Sequence, residues 1–320
     1  MYVSSTSGTD VGNSSGGITT PYLTISNALA SLDAVADTIP VVIHLAAGSY
    51  NESVTVIRSN TSISGSSMSQ PNATVINGSV VFNMTPTTLQ YTVGGLENVQ
   101  VNSFLQHFNN TVYPNSIVVN NCIIVPPAQK NAIITSGTGN GILGDMTLSN
   151  SLVFMSDITA VSIVNTAISA INTQITQNPS LTSTATVINV GGSGRINLFG
   201  CQVISTSTSP QVLPLIIVAN TSNVTSSCTI NSSILQYTSS VSDATFGNKT
   251  CIRFSGTASM NSYFLINNFL KCDGCSTNCV QKVGSAAVAL FIGQNLAGVS
   301  SKTIPASGSG LTKTVLPTLS

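Results

Sequence analysis

Charge is what this chain has least of. Nine Lys and Arg stand against nine Asp and Glu in 320 residues, so 6% of the chain is charged and the formal net charge is zero, where about 25% is usual in soluble domains. Without a basic or acidic excess there is no electrostatic footprint for nucleic acid or anionic lipid. Tryptophan is absent, and histidine occurs only as His44 and His107, too few and too far apart for a histidine-based metal site or nucleophilic triad. Long apolar runs are missing as well, although 42% of residues are hydrophobic. The nearest, Ala286 to Val299, is broken by Gly293, Gln294 and Asn295, short of the roughly 18 apolar residues a membrane helix needs. Met1-Tyr2-Val3-Ser4 passes directly into polar sequence with no basic-then-apolar leader, which reads either as release by a route needing no signal or as a trimmed start.

What remains is Ser, Thr, Asn, Gln and Gly around apolar alternation, and this alternation recurs. An apolar-x-apolar-x phrase runs into a turn residue and then another strand, with corners at Asn98, Asn121, Asn150, Asn172, Gly200, Ser232 and Asn268, spaced by 23, 29, 22, 28, 32 and 36 residues. Such spacings mark stacked coils, each burying its inward face only against the coils above and below. A β-sandwich would show turn signals about every 8–12 residues. Asn and Gly suit the corners because they tolerate left-handed backbone, and stacked Asn amides can bond from coil to coil.

The first forty residues differ. Tyr2-Val3 reads as a strand, and a Gly-rich loop from Gly8 to Gly17 follows. Ile25, Ala28, Leu29, Leu32 and Val35 then fall at helical spacing behind Thr24, predicting one amphipathic helix over about residues 25–36 with Thr24 as its N-cap. A solenoid needs such a cap over its open end. The expected organisation is a strand, loop and capping helix over 1–40, coils over 41–299, and a C-terminal cap or docking arm over 300–320. In that tail Pro305, Gly308, Gly310 and Pro317 interrupt any strand ladder.

A loop with Gly8-Thr9-Asp10, the helix entry Pro21-Tyr22-Leu23-Thr24-Ile25, then Ala47-Gly48-Ser49-Tyr50-Asn51-Glu52, Ile63-Ser64-Gly65-Ser66 and Thr74-Val75-Ile76-Asn77-Gly78 resemble the opening of pectin-lyase-like right-handed parallel β-helices. Pectinesterases carry a closely similar opening. The resemblance covers about residues 2–80; later coils agree in pattern only. It implies an all-β right-handed parallel β-helix with one short N-terminal α-helix. It also implies where chemistry would sit, since such enzymes use carboxylates on the middle coils, often beside an Arg.

Those carboxylates are scarce. Asp10, Asp33, Asp37, Glu52 and Glu97 lie in the cap and first coils, and no Asp or Glu occurs between Asp157 and Asp243. The Asp-Phe-Ile-Phe-Gly-like strand of pectinesterases and the Asp-Asp and His-Gly pairs of polygalacturonases are absent. Asp157 and Arg195 are the nearest catalytic candidates, each alone. His44 and His107 read as structural, the second in a loop. Cys251, Cys272, Cys275 and Cys279 form a local cluster that could bind zinc, form a disulfide or stay as free thiols. Cys122, Cys201 and Cys228 fall where a small buried residue suffices.

No cofactor is expected. The reading that fits is a non-enzymatic structural protein of a virion (capsid-associated protein, spike or fibre) at the virion surface or outside the cell. Its expected partners are copies of itself, other virion proteins and host surface glycans, and resemblance to viral β-helix spikes implies a homotrimer. The rivals are a degenerate pectinesterase- or lyase-like enzyme and a glycan-binding adhesin, for which Tyr91, Tyr113, Tyr237 and Tyr263 are the aromatics available in the coils.

Overall fold

The computed structural model describes residues 1–10, 16–84, 92–109, 115–137, 144–156, 158–177, 186–207, 214–220, 227–239, 251–255, 261–266, 268–272, 280–283, 288–293, 296–297, 306–307 and 311–315. They form three parallel sheets, here A, B and C, of 12, 10 and 10 strands. Each coil gives one strand to A, the next to B and the next to C before the chain climbs to the following coil. Asn115–Asn120, for example, pairs in parallel with Thr92–Glu97 below and Asp145–Ser149 above. This is the right-handed parallel β-helix that the resemblance of the first 80 residues implies, built as the stacked coils that the recurrence predicts. Among the described residues no helix is long and apolar enough to cross a membrane.

Alternation puts every second side chain inside. In sheet A, pairing register aligns Ile43, Ile63, Leu96, Val119, Leu148, Ala170, Leu198, Ile230 and Leu265 in one column, every member buried. Strands stack about 4.8 Å apart, so each side chain sits on its counterpart one coil down, and burying each Ile, Leu or Val of the column contributes roughly 1.5–3 kcal/mol.

The N-terminal end is closed. Tyr2–Val3 is the first strand of sheet A, paired with Val41–Leu45, and the helix Ile25–Ala30 lies beneath the stack with Ile25 and Ala28 buried. Thr24 is its N-cap, with the side chain accepting from Asn27 N. Two carboxylates from flanking segments complete the cap. Glu52 accepts from Ile25 N, Ser26 N and the Ser26 hydroxyl, and Asp10 accepts from Leu23 N, Thr24 N and the Thr24 hydroxyl, satisfying amides that a helix start leaves without partners.

Two expectations change. The helix ends at Ala30, not near 36, because the chain then wraps a buried cation: Arg58 donates to the carbonyls of Val35, Ala36 and Ile39, and lies 3.9 Å from the Asp37 carboxylate. Leu32 still reaches the core from this turn. Asp37 therefore lies beyond the helix, paired with Arg58. The coils also do not stop at 299, since Ala306–Ser307 pairs with sheet C and Leu311–Val315 becomes the twelfth strand of sheet A. The breakers of the tail flank these strands, and the alternating Leu311-Thr312-Lys313-Thr314-Val315 between them continues the ladder.

Candidate functional site

If the fold carried carbohydrate chemistry, the middle of the coil stack is where acids and an Arg would have to meet. On the outer side of sheet A, register places Asp145, Ala167 and Arg195 on three successive coils, so the Cα atoms of Asp145 and Arg195 are about 10 Å apart with only an alanine between them. The carboxylate of Asp145 accepts a hydrogen bond from the Ser116 hydroxyl. Glu97 is the other acid on the strands of sheet A, and its carboxylate accepts from Ser64 Oγ at 2.8 Å. Glu97 aligns through Asn120 with Ser149, two coils up and four residues past Asp145. The two Cα atoms are therefore about 16 Å apart, and each carboxylate is engaged by a serine hydroxyl of a neighbouring strand. Asp157, the other candidate, lies outside the described residues.

The corners follow the sequence closely, with one slip. Asn98, Asn121, Asn150, Asn172, Ser232 and Gly200 all have left-handed φ, between 48° and 63°. Their amides connect coils: Asn121 Nδ2 donates to Asn98 Oδ1 at 2.8 Å, and Asn150 Nδ2 to Asn120 Oδ1 at 3.1 Å. At Gly200 the lack of a side chain is also steric, because a Cβ there would stand 2.8 Å from Asn172 Oδ1. Asn268 is not a corner. Asn231 pairs with Ile266, so Asn268 aligns with Ser233, one step past the corner. Its side chain points inward, accepting from Ser233 N at 3.0 Å and donating to Ile230 O at 2.8 Å.

That inward position is a second ladder. Cys122, Ser151, Thr173, Cys201, Ser233 and Asn268 occupy it, all buried. Ser151 Oγ accepts from Cys122 N, Ser233 Oγ accepts from Cys201 N, and the Cys122 and Cys201 thiols donate to Leu96 and Ala170 carbonyls. Burial pushes the thiols of Cys122 and Cys228 up to about 12 and raises that of Cys201, so none offers a thiolate. Cys251 is buried in the core. Cys275 and Cys279 lie outside the described residues, as does the side chain of Cys272, and among the described residues no group of three His, Cys, Asp or Glu could hold a metal. The signal for this ladder was visible: a small polar residue or Cys follows most of the corners.

His107 corrects the loop expectation. It lies in the strand Leu105–Asn109 facing inward and fully buried. Asn115 Nδ2 donates to the carbonyls of Met84 and Phe108, which turns its Oδ1 toward His107 Nε2 at 3.0 Å. Nε2 therefore carries the proton, and Nδ1 accepts from Thr135, whose Oγ1 is 2.7 Å from Thr166 Oγ1. Burial lowers the imidazole below its usual range against the opposing pull of Asn115 and the Asp145 charge. A sealed, fully bonded neutral ring is a core element. His44, by contrast, is exposed and stacks on Tyr2 with ring centroids 5.2 Å apart.

No family model matches the sequence, and no curated protein matches it. Solved structures do. ORF18 of Geobacillus virus E2 is similar over 98% of this chain with a TM-score of 0.59 and 13% identity; the chain spans 60% of that protein's length. Pectin methylesterase from Aspergillus niger is similar over 96% of this chain and 92% of its own, with a TM-score of 0.49 and 13% identity. PemA, the pectin methylesterase of Erwinia chrysanthemi, covers the same shares at 0.46 and 14%. At such identities likeness speaks to the path of the backbone alone. Three parallel sheets, single strands climbing from coil to coil and an Asn-cornered stack give this chain the pectin-lyase-like right-handed parallel β-helix fold.

Proposed function

We propose that this protein is a non-enzymatic structural component of a virion, a capsid-associated protein, spike or fibre that works in assembly or host attachment at the particle surface. One observation carries the reading: the sheets are almost without charge. The ten strands of sheet B contain only Lys271, those of sheet C only Arg253 and Lys282, and the twelve of sheet A only Glu97, Asp145, Arg195 and Lys313. Lys282 is buried, and the other exposed positions on these strands are Ser, Thr, Asn, Gln and aliphatic residues with a few rings, among them Tyr2, His44, Phe108 and Phe199. Such faces pack against copies of themselves without desolvating ions, and depletion of charge is the mark of interface cores. The homotrimer expected from resemblance to viral β-helix spikes fits faces of this kind. A fold partner encoded by a virus is consistent with the role.

Mass photometry of the purified protein tests it. A species of about three times the 32.8 kDa chain is expected, and a clean monomer across the working concentration range would count decisively against it. The rival, a carbohydrate-active enzyme, rests on Asp145 and Arg195 sharing one outer column; de-esterification or cleavage of pectin that is lost in Asp145→Asn would establish it instead.

A further inference from the structure

The N-terminal end holds a pocket that coil packing does not require. It is a cavity of about 410 Å³ on the outer side of the first coils, lined by Tyr2, His44, Ser7, Ile18, Pro21 and Ser66 among others. This lies within the ~300–1,000 Å³ typical of small-molecule sites. Among the described residues its lining contains no Asp, Glu, Lys or Arg. Tyr2 is 40% exposed and Ile18 is 74% exposed, so a large apolar surface is held in water beside a row of hydroxyls.

The walls are fixed before any ligand arrives. Tyr2 N donates to Gly16 O and Tyr22 N to Tyr2 O, while His44 N and Ala46 N donate to Met1 O and Val3 O. Ser7 donates through both N and Oγ to Ser4 Oγ, and the Ser66 hydroxyl lies 3.2 Å from Thr74 Oγ1. The same bonds decide what cannot bind. Residues 16–22 already satisfy the outer side of the Tyr2–Val3 strand, so an extended peptide has no free edge to join. An ionised ligand finds no counter-charge. A neutral polyol ring fits both halves: the electropositive C–H face of a pyranose packs on the electron-rich face of an aromatic ring, while its hydroxyls meet Ser, Tyr and His donors and acceptors.

We propose that the Tyr2–His44 pocket is a binding site for a neutral saccharide, one or two pyranose rings in extent. This deepens the attachment half of the proposed role and supplies aromatics nearer the N-terminus than the coil tyrosines. Tyr91 and Tyr113, and the side chains of Tyr237 and Tyr263, lie outside the described residues.

Saturation-transfer NMR on the full chain, with the methyl glycosides of glucose, galactose, mannose and N-acetylglucosamine as probes, tests the site. Transfer to one face of at least one ring is expected, with affinity about tenfold weaker in Tyr2→Ser and in His44→Ala. Ile18→Ser, at a position too exposed to matter for folding, should weaken binding while leaving the melting transition unchanged. No transfer with any of the four probes would overturn the proposal. So would transfer that survives both Tyr2→Ser and Ile18→Ser. Mass photometry reads the oligomer separately, so a trimer that binds no sugar sinks this inference alone, and a sugar-binding monomer sinks the virion role alone.

Discussion

Asn150 and Asn268 look alike in the sequence and differ in what they do, which makes them a sharp pair for mutation. Asn150 has φ 50° and is exposed, with one amide bond to Asn120 Oδ1. Replacing it by Ala keeps a Cβ in left-handed backbone, at about 1–2 kcal/mol, and removes a bond worth roughly 0.5–1 kcal/mol. Asn150→Gly loses the same bond but releases the backbone, so it should cost well under about 1 kcal/mol. Asn268 is 2% exposed, and its amide satisfies Ser233 N and Ile230 O. Either Ala or Gly there leaves two buried groups without partners, at about 1–3 kcal/mol each, and Gly brings no relief. Urea denaturation followed by circular dichroism, which suits a chain without Trp, gives the four values; the slopes must match before midpoints are compared, because a solenoid can unfold in parts. If Asn150→Gly is as damaging as Asn150→Ala, or if Asn268→Gly is milder than Asn268→Ala, the division into corner and inward ladder is wrong.

Three further outcomes follow from the same structure. His107 is buried with its proton affinity lowered, so the unfolded chain takes up a proton near the ordinary value of about 6.5 that the folded chain refuses; stability should be full above that pH and decline below it, and His107→Gln should flatten the decline of the urea midpoint between pH 7.5 and pH 5. The thiols of Cys122 and Cys228, pushed up to about 12, should resist a thiol reagent at neutral pH while the protein is folded and react fully once it is unfolded in urea. Arg58→Met should cost about 3–5 kcal/mol in the same denaturation assay, because five carbonyl and hydroxyl acceptors around the guanidinium lose their donors in a buried turn.

How much was legible depended on whether the signal was local. A left-handed corner restricts the residue that occupies it, so Asn98, Asn121, Asn150, Asn172, Gly200 and Ser232 announce themselves. Where two asparagines follow one another, at 267 and 268, composition alone does not set the register; pairing with Asn231 does. The start of the helix was readable from Thr24, since its cap bond lies three residues away. Its end was not, because the turn that follows it is held by Arg58, more than twenty residues later, through the carbonyls of Val35 and Ala36. His107 was misplaced for the same reason: its partners Asn115 and Thr135 come from two further strands.

The scarcity of charge then acquires a structural meaning. Asp10 and Glu52 are committed to the start of the helix, Asp37 to Arg58, Glu97 to Ser64 and Asp145 to Ser116. Each of these acids holds backbone or side chain of its own chain in place, and most lie at the closed N-terminal end. Stack stability comes from inward aliphatic columns and amide ladders, neither of which needs ions, so outward positions are free to be neutral along the full length of the helix. A protein meant to act on an acidic polymer would place cations on those faces, and one meant to stay apart from its neighbours would place like charges there. The described strands of sheets B and C hold three charged residues and those of sheet A four, and faces this sparse in charge fit the two contacts proposed above: a second copy along the coils, and an uncharged sugar at the Tyr2–His44 pocket.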